Sequence, residues 1–218
     1  MTLAIFDLDN TLLNGDSDHG WGQFLVDQGI VDGHSYKEGN DYFYQQYKQG
    51  TLNINEYLEF SLAPLKAHPK AQLDLWHQQF MAEVIAPMRL AKADALLQQH
   101  REQGHELLII TATNLFVTGP IAKSMGVEHI LASEPELVNG AYTGRANGTP
   151  CFQEGKVKRL HAWMTEHGHD LSGSYFYSDS LNDLPLLKLV DNPVAVDADD
   201  TLSAYAQAQG WPCISLRG

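Results

Sequence analysis

The sequence predicts an α/β fold with a parallel sheet, interrupted after its first strand by a block of helices. Two observations lead to this prediction. Short apolar runs, typical of strands buried on both faces, alternate with helical patterns over most of the 218 residues. The alternation stops between residues 15 and 88, where the only regular patterns are those of amphipathic helices.

Four strands are predicted along the chain. The first is Leu3–Phe6, an apolar run followed at once by acidic residues, and the others cover residues 106–110, 174–177 and 193–196. The helices predicted between and after them are 89–103, 116–125, 154–167, 182–190 and 201–209. Gly104 and Gly168 occupy the positions expected for helix C-caps, and residues 136–145, centred on Asn139-Gly140, predict an appended hairpin.

The insertion is predicted to contain four helices, at residues 21–28, 36–49, 55–65 and 71–84. Asn53 and Asn55 are candidate N-caps of the third helix, and Pro64 and Pro69 are expected to bracket its end. Residues 1–14 and 89–218 are therefore expected to form a catalytic core, and residues 15–88 a helical cap domain. Because open α/β sheets bind ligands at the carboxyl ends of their strands, an insertion at this place is a candidate lid.

The composition excludes several classes of partner. The chain carries 14 Lys and Arg against 27 Asp and Glu, and this excess of acids argues against nucleic acid and acidic membranes. A small anionic substrate remains compatible, because a few local cations and a metal ion outweigh the global field. Two cysteines, no signal-peptide pattern and only short apolar runs predict a cytoplasmic protein, and the sequence carries no indication of an oligomeric state.

The run Asp7-Leu8-Asp9-Asn10-Thr11 contains the first candidate site residues. Asp7 and Asp9 leave the first strand on the same side, because alternate side chains of a strand share a face. Two carboxylates so close repel each other unless a cation intervenes, and Mg²⁺ prefers such oxygen ligands. An acidic loop that caps a helix is the alternative interpretation of this run.

Three later segments, which carry four candidate residues, have the same placement at a strand end or a helix start. Asp179 and Asp183 follow the strand at 174–177, where an N-cap with a first-turn acid is the alternative interpretation. Thr111 ends the strand at 106–110, ahead of a helix N-terminus suited to an anion. Lys156 precedes a helix and is a candidate counter-charge for phosphate, with Lys158 as its competitor. Strand ends of a parallel sheet converge on one edge, so the set predicts one site.

The ordered set resembles the motifs of the haloacid dehalogenase-like superfamily, in particular its phosphoserine-phosphatase-like branch. The matching positions, in the order of the four motifs, are Asp7-x-Asp9-x-Thr11, Thr111, Lys156 and Asp179-x-x-x-Asp183. The resemblance covers nearly the whole chain. It implies a Rossmann-like, three-layer α/β/α core with a helical cap of the C1 type, and a magnesium-dependent phosphatase that acts on a small-molecule phosphate ester.

The resemblance also implies a role for each matching residue. Asp7 would attack phosphorus and form an aspartyl-phosphate, while Asp9 would protonate the leaving alkoxide and then activate water. Mg²⁺ would be bound by Asp7, by Asp9 through its main-chain carbonyl, and by Asp179, with Asp183 in support. Thr111 and Lys156 would hold the phosphoryl oxygens, and Asn182 would add a hydrogen bond there. The same intermediate would also serve a phosphotransferase, which is the alternative in reaction type.

The substrate expected from the resemblance depends on the start of the cap. Asp16 stands where phosphoserine phosphatases carry an acid that binds the substrate amino group. Ser61 aligns with the cap arginine that binds the substrate carboxylate in those enzymes, and no arginine lies between residues 15 and 88. Lys48 and Lys66 are candidate substitutes for this arginine, but a lysine lacks the bidentate fork that suits a carboxylate. The chain is also similar to histidinol-phosphatases of this branch, so histidinol phosphate is expected first and phosphoserine second.

His19 and Trp21 follow Asp16 and are candidates to contact an imidazole by hydrogen bonding or stacking, and a solvated His19 is the alternative interpretation. Trp21 is interpreted as core of an amphipathic helix, and the aromatic stretch from Tyr42 to Tyr47 as core of the cap. The other histidines lack metal-ligand spacing, so no zinc site is expected. A metal- and phosphate-binding module without turnover is disfavoured, because such a module has no use for an acid at Asp9.

Overall fold

The computed structural model describes residues 1–218 and contains one sheet of seven strands. The strands are β1 (Leu3–Phe6), β2 (Glu106–Asn114), β3 (His129–Val138), β4 (Ala141–Asn147), β5 (Tyr175–Ser178), β6 (Asn192–Val196) and β7 (Cys213–Ile214). Their order across the sheet is β4-β3-β2-β1-β5-β6-β7. All neighbours pair in parallel except β3 and β4, which pair antiparallel. The predicted α/β class with a parallel sheet is confirmed.

Ten α-helices accompany the sheet. They are α1 (Ser17–Asp27), α2 (Gly33–Lys48), α3 (Ile54–Ala67), α4 (Lys70–Phe80), α5 (Ala86–Met88), α6 (Ala91–Glu102), α7 (Leu115–Ser124), α8 (Glu154–His167), α9 (Leu184–Leu187) and α10 (Asp200–Gln209). A π-helical turn, Met81–Ile85, joins α4 to α5, and a 3₁₀ turn, Leu181–Asp183, precedes α9. The first five helices all lie between β1 and β2, where the sequence predicts only helices.

Apolar side chains cover both faces of the sheet, which gives the core three layers. Along β1, Ala4 and Phe6 belong to one buried cluster while Leu3 and Ile5 belong to another. This alternation follows from the pleat of a strand, in which successive side chains point to opposite faces. Helices α6 and α7 pack in the first cluster, and α8, α9 and α10 in the second. The continuous apolar run of β1 is therefore explained by burial on both sides.

The helical insertion leaves and rejoins the sheet through two adjacent segments. Leu13 forms an antiparallel bridge with Arg89, and the Asn14 amide donates to the Met88 carbonyl at 2.8 Å. Beyond this junction, Trp21 of α1 is 2% exposed and its ring lies 5.5 Å from that of Phe116 in α7. The insertion thus shares the first apolar cluster with the sheet, and the interpretation of Trp21 as a core residue agrees with its burial.

Helix α2 is the least buried of the four long helices of the insertion. Of its sixteen residues only Asn40 is buried. That residue packs against Gly22 of α1, where a Cβ would lie 2.6 Å from Asn40 Oδ1, so only glycine permits this approach. The Asn40 amide also donates to the His19 carbonyl at 3.0 Å. Helix α2 is therefore attached mainly along one edge.

Several predicted boundaries differ from the observed elements. The hairpin predicted at residues 136–145 is the end of a longer strand, because β3 first pairs in parallel with β2 from His129. The helix predicted at 182–190 is divided into the 3₁₀ turn Leu181–Asp183 and the short helix α9, and Pro185 lies in the first turn of α9, where the missing amide donor is tolerated. Strand β7 is not predicted, because its two exposed residues carry no strand signal.

The end of α3 corrects one proline assignment. Pro64 lies inside this helix and is buried, and the helix continues to Ala67. The residue after the helix, His68, is extended and directly precedes Pro69, and proline disfavours a helical conformation at the residue it follows. At the other end, the Asn53 side chain accepts the amides of Asn55 and Glu56, so Asn53 is the N-cap. No helix of the chain combines the length and apolar character needed to cross a bilayer, and the cytoplasmic location stays a prediction.

Candidate active site

The ends of three neighbouring strands bring the first candidate residues to one edge of the sheet. Phe6, the last residue of β1, is level with Ile109 of β2 and Tyr177 of β5. The Asp7 amide continues the ladder by donating to the Tyr177 carbonyl at 2.9 Å. The side chains that follow these strands therefore emerge together, as the sequence predicts.

Lys156 joins two of the acidic residues. Its ammonium lies 2.7 Å from Asp7 Oδ1 and 2.8 Å from Asp183 Oδ2, and the residue is 1% exposed. The Ser178 hydroxyl donates to the same Asp183 oxygen at 2.7 Å. The chain reaches this position through Gly155, where a Cβ would lie 2.0 Å from the Pro150 carbonyl oxygen.

Lys158, the competing lysine, has a different environment. It is exposed on the outer side of α8 and lines a surface depression with Glu134 and Glu166. Lys156 is thus the lysine that meets the predicted carboxylates, and its burial requires that negative charges surround it.

The acidic residues carry more negative charge than Lys156 balances. Burial raises the pKa of Asp7 to about 7, against the lowering effect of Lys156, and Asp183 and Asp9 raise it further. Burial, Asp7 and Asp183 hold the pKa of Asp179 well above its usual range. Asp179 is oriented by Thr11, whose hydroxyl donates to Asp179 Oδ1 at 3.0 Å and accepts from the Asp179 amide at 3.0 Å.

One atom of this group has no partner. Asp7 Oδ2 is buried and makes no hydrogen bond. No three carboxylate, imidazole or thiol side chains of the chain meet closely enough to form a metal site by themselves. Mg²⁺, however, binds through one or two carboxylates completed by other oxygens, so an unpartnered oxygen of Asp7 beside Asp179 fits its requirements.

Asp9 has an environment separate from that of Asp7. Its carboxylate accepts from the Ser17 amide at 2.6 Å and from the Thr113 hydroxyl at 2.8 Å. Burial raises its pKa to about 7, the neighbouring Asp16 adds to this, and the two donors oppose it. Both oxygens of the Asp9 carboxylate are therefore engaged by donors, which leaves its main-chain carbonyl for the predicted metal set.

The two predicted phosphate ligands other than Lys156 differ in availability. Thr111 is 1% exposed and lines the pocket described below. Asn182 donates to the Tyr47 carbonyl of α2 at 3.0 Å and accepts from Gln153 at 3.1 Å. Both ends of the Asn182 amide are thus engaged, and the residue connects the core to the insertion in this structure.

A pocket lies between this edge of the sheet and the insertion. Its catalytic wall consists of Asp7, Asp9 and residues 111–113, and its cap wall consists of the lining residues between 16 and 57. None of the fifteen lining residues is a lysine or an arginine. Three aromatic residues of α2 lie in the cap wall, namely Phe43, Tyr44 and Tyr47. The prediction that this aromatic stretch forms only cap core is wrong, because these side chains face the pocket.

Asp16 and Asp18 give the cap wall its acidic character. Asp16 is the N-cap of α1 and accepts the amides of Asp18 and His19 at 2.9 and 2.8 Å. Burial raises the pKa of Asp16. Burial and the adjacent Asp16 raise the pKa of Asp18 to about 8. Both carboxylates would be stabilised in their ionised forms by a cation in the pocket.

His19 also lines the cap wall, and α2 orients it. Its Nε2 lies 3.0 Å from Asp41 Oδ1, and its ring lies 4.7 Å from that of Tyr44. Ser61 is buried outside the lining, and neither Lys48 nor Lys66 is among the lining residues. The lysines considered as substitutes for a carboxylate-binding arginine are therefore absent from the pocket lining.

Comparison with known proteins decides the family. The family model described as haloacid dehalogenase-like hydrolase matches residues 4–188. The chain belongs to this family. A histidinol-phosphatase of Neisseria meningitidis serogroup C is 44% identical over 219 residues, which are 99% of each chain. The phosphoserine phosphatase SerB1 of Mycobacterium tuberculosis is 31% identical over 220 residues, 98% of this chain and 70% of that protein.

Two solved structures share the fold. A protein of unknown function from Bordetella pertussis Tohama I superposes with a TM-score of 0.93 at 43% identity, over 99% of this chain and 100% of that one. A substrate-bound phosphoserine phosphatase superposes with a TM-score of 0.72 at 18% identity, over 98% and 92% of the two chains. Membership of this family and these relatives identify the chain as a phosphatase.

The site of this haloacid dehalogenase-like phosphatase includes residues that the sequence does not single out. Thr113 and Ser178 orient Asp9 and Asp183, and Asp18 and Tyr57 lie in the cap wall. Thr113 lies two residues after Thr111 at the end of the same strand. Residues two apart in a strand point to the same face, so this spacing indicates that both side chains lie at the site. Tyr57 has no such signal, because its place in the pocket depends on how α3 packs.

Proposed function

We propose that this phosphatase hydrolyses histidinol phosphate, with Asp7 as the nucleophile and Mg²⁺ as the cofactor. The observation that carries the proposal is the cap wall, which offers carboxylates and aromatic rings but no lysine or arginine. Histidinol phosphate presents an ammonium group and an imidazole ring to such a surface. Phosphoserine presents a carboxylate, which Asp16 and Asp18 would repel without a compensating arginine or lysine. The histidinol-phosphatase relative supports the same substrate.

The proposed reaction has two steps. A carboxylate oxygen of Asp7 attacks phosphorus, the bond from phosphorus to the ester oxygen breaks, and Asp9 transfers its proton to the leaving alkoxide. Asp9 then takes a proton from water, whose oxygen attacks the same phosphorus and releases phosphate from Asp7. A pKa of about 7 supports both roles, because Asp9 exchanges a proton readily at neutral pH.

Lys156 and Thr111 are proposed to hold the phosphoryl oxygens. Lys156 is fixed by two carboxylates and lies beside the nucleophile, so its position costs no rearrangement during the reaction. Asn182 remains a proposed phosphate ligand only if its bond to the Tyr47 carbonyl opens.

Asp7, the Asp9 main-chain carbonyl and Asp179 are proposed to hold Mg²⁺, with Asp183 in support. The bound ion would neutralise phosphoryl charge and lower the pKa of Asp7. The unpartnered Asp7 Oδ2 supports this assignment. The protein provides the remaining compensation through Lys156.

We also propose that residues 15–88 act as a cap domain over a core of residues 1–14 and 89–218. The bridge between Leu13 and Arg89 supports this division, because the segment that leaves the core and the segment that returns to it lie side by side. The shared apolar cluster ties α1 and α4 to the core, which leaves α2 as the part best suited to open.

The proposal is tested by kcat/KM values measured side by side for histidinol phosphate, phosphoserine and propyl phosphate. We expect the highest value for histidinol phosphate and a low value for phosphoserine. Exhaustive chelation should remove activity, and added Mg²⁺ should restore it. A preference for phosphoserine would contradict the proposed substrate, and undiminished turnover after chelation would contradict the proposed cofactor.

A further inference from the structure

Asp18 is a buried acid of the pocket that the proposed chemistry does not use. It is 8% exposed, and the Tyr57 hydroxyl of α3 donates to its Oδ2. Its other oxygen, Oδ1, receives no hydrogen bond from the protein, although the residue lines the pocket. Asp18 therefore presents a buried, half-satisfied carboxylate to whatever occupies the cap wall.

Tyr57 is held so that it can only donate to this carboxylate. Its ring packs edge-on against Phe43 at 5.4 Å, and Phe43 in turn contacts Phe60. Burial keeps the pKa of the Tyr57 hydroxyl well above its usual range. The phenol thus remains protonated and fixes the orientation of Asp18.

The carboxylates of the pocket follow an order along its length. Asp9 accepts from the Thr113 hydroxyl of β2 and from the Ser17 amide, which is next to Asp16 in the chain. Asp16 accepts the Asp18 and His19 amides at the start of α1, and Asp18 accepts from Tyr57 of α3, so Asp16 lies between the acid at the catalytic wall and the acid at α3. From the catalytic wall outward, the sequence is Asp9, Asp16, Asp18.

Histidinol phosphate has its groups in the same order. The ester oxygen is followed by a methylene, then the carbon that bears the ammonium, then a second methylene and the imidazole. With the leaving oxygen at Asp9, the ammonium falls opposite Asp16 and the ring lies one step further out. A ring N–H donor there meets the open oxygen of Asp18, and Phe43 and Tyr44 provide flat apolar surface beside it.

We propose that Asp18, oriented by Tyr57, is the specificity-determining residue that binds the imidazole ring of the substrate through Oδ1. The inference rests on the proposed function and adds a recognition site for the ring to the site for the ammonium at Asp16. It assigns Asp18 no part in the chemical steps.

Three phosphate esters separate the contributions of the two acids. Histidinol phosphate carries ammonium and ring, O-phosphoethanolamine carries ammonium alone, and propyl phosphate carries neither. We expect Asp18→Asn to lower kcat/KM about 10- to 100-fold for histidinol phosphate alone, as for the loss of a hydrogen bond to a charged group. Asp16→Asn should lower the values for both amines. Tyr57→Phe should produce a smaller loss restricted to histidinol phosphate.

Glu59→Gln is the matched control, because Glu59 is an exposed acid of α3 outside the pocket lining. This variant should retain wild-type values for all three esters. The affinity for histidinol, measured by calorimetry, should fall in Asp18→Asn by the same factor as kcat/KM for histidinol phosphate. If Asp18→Asn folds poorly, Tyr57→Phe provides a second test.

The outcomes distinguish the two levels of the proposal. If the wild type shows no preference for histidinol phosphate over O-phosphoethanolamine, the proposed function fails. If the wild type shows the preference but Asp18→Asn and Tyr57→Phe retain it, only the role of Asp18 is overturned. Equal losses on all three esters would likewise overturn that role and indicate a structural one.

Discussion

The catalytic wall and the cap wall of the pocket differ in how firmly the protein holds them. In the catalytic wall, Asp7 extends a central strand and shares Lys156 with Asp183 inside the core. Much of the cap wall comes from α2, which buries one residue and is attached through a few hydrogen bonds. Under the proposed function, strand ends fixed in the core hold the reacting groups, whereas the surface of a weakly attached helix selects the substrate.

The largest expected effect comes from the catalytic wall. Asp7→Asn should lower kcat by roughly 10³-fold or more, because an amide oxygen is a poor nucleophile. The fold should persist, since Lys156 keeps its partner Asp183. Phosphate release and far-UV circular dichroism measure the two expectations. Full activity in this variant would refute covalent catalysis at Asp7.

Removal of Lys156 tests how firmly that wall is held. Lys156→Met leaves Asp7 and Asp183 buried without their cation, which should lower the free energy of unfolding by about 3–5 kcal/mol. The matched variant Lys158→Met alters an exposed lysine of the same helix and should change the free energy of unfolding by less than about 0.5 kcal/mol. Urea unfolding measures both. Equal effects of the two variants would show that the buried ion pairs do not stabilise the catalytic wall.

The buried histidine beneath the catalytic wall predicts a pH dependence. His100 contacts the Tyr177 hydroxyl at 2.9 Å, and burial followed by His105 lowers its pKa from 6.5 to about 4. Between these values the unfolded chain binds more protons than the native one. The free energy of unfolding should therefore fall as pH decreases from 6.5 to 4, by at most about 1.4 kcal/mol per pH unit from this residue.

His100→Gln should reduce the dependence of the free energy of unfolding on pH, that is, the slope obtained from urea unfolding at pH 7, 6 and 5. His34→Gln replaces an exposed histidine of α2 and should leave the slope unchanged. A wild-type slope retained in His100→Gln would assign the acid sensitivity to other groups.

The smallest expected effect concerns the attachment of α2. Asn182→Ala removes the hydrogen bond to the Tyr47 carbonyl, worth about 1 kcal/mol, so KM should rise roughly fivefold with little change in kcat. Limited proteolysis within α2 should become faster, while the exposed substitution Asn147→Ala should have neither effect. A large fall in kcat at constant KM would instead support the phosphate-binding role that the sequence predicts for Asn182.

The sequence was informative where chemistry depends on strand ends. Strands β1, β2, β5 and β6 were predicted within a few residues, because each is an apolar run buried on both faces. The convergence of Asp7, Lys156 and Asp183 followed from parallel topology alone. Roles in catalysis for these residues stay predictions.

The cap wall was less accessible to sequence reasoning. Tyr44 and Tyr57 lie on amphipathic helices, where the same pattern describes a core position and a pocket position. The side that faces the cavity is set by packing contacts such as Asn40 against Gly22, which are distant from any motif. The long β3 was missed for a similar reason, since its pairing with β2 begins before the hairpin signal.

The weak burial of α2 has a consequence for how such enzymes diversify. Substitutions on this helix alter the lining of the pocket at residues 43, 44 and 47 while leaving the apolar clusters almost untouched. Substitutions there can therefore alter substrate preference with little loss of folding stability, because the residues that line the pocket are not those that form the core. Helix α2 is also the natural segment to exchange between relatives when a new preference is sought by engineering.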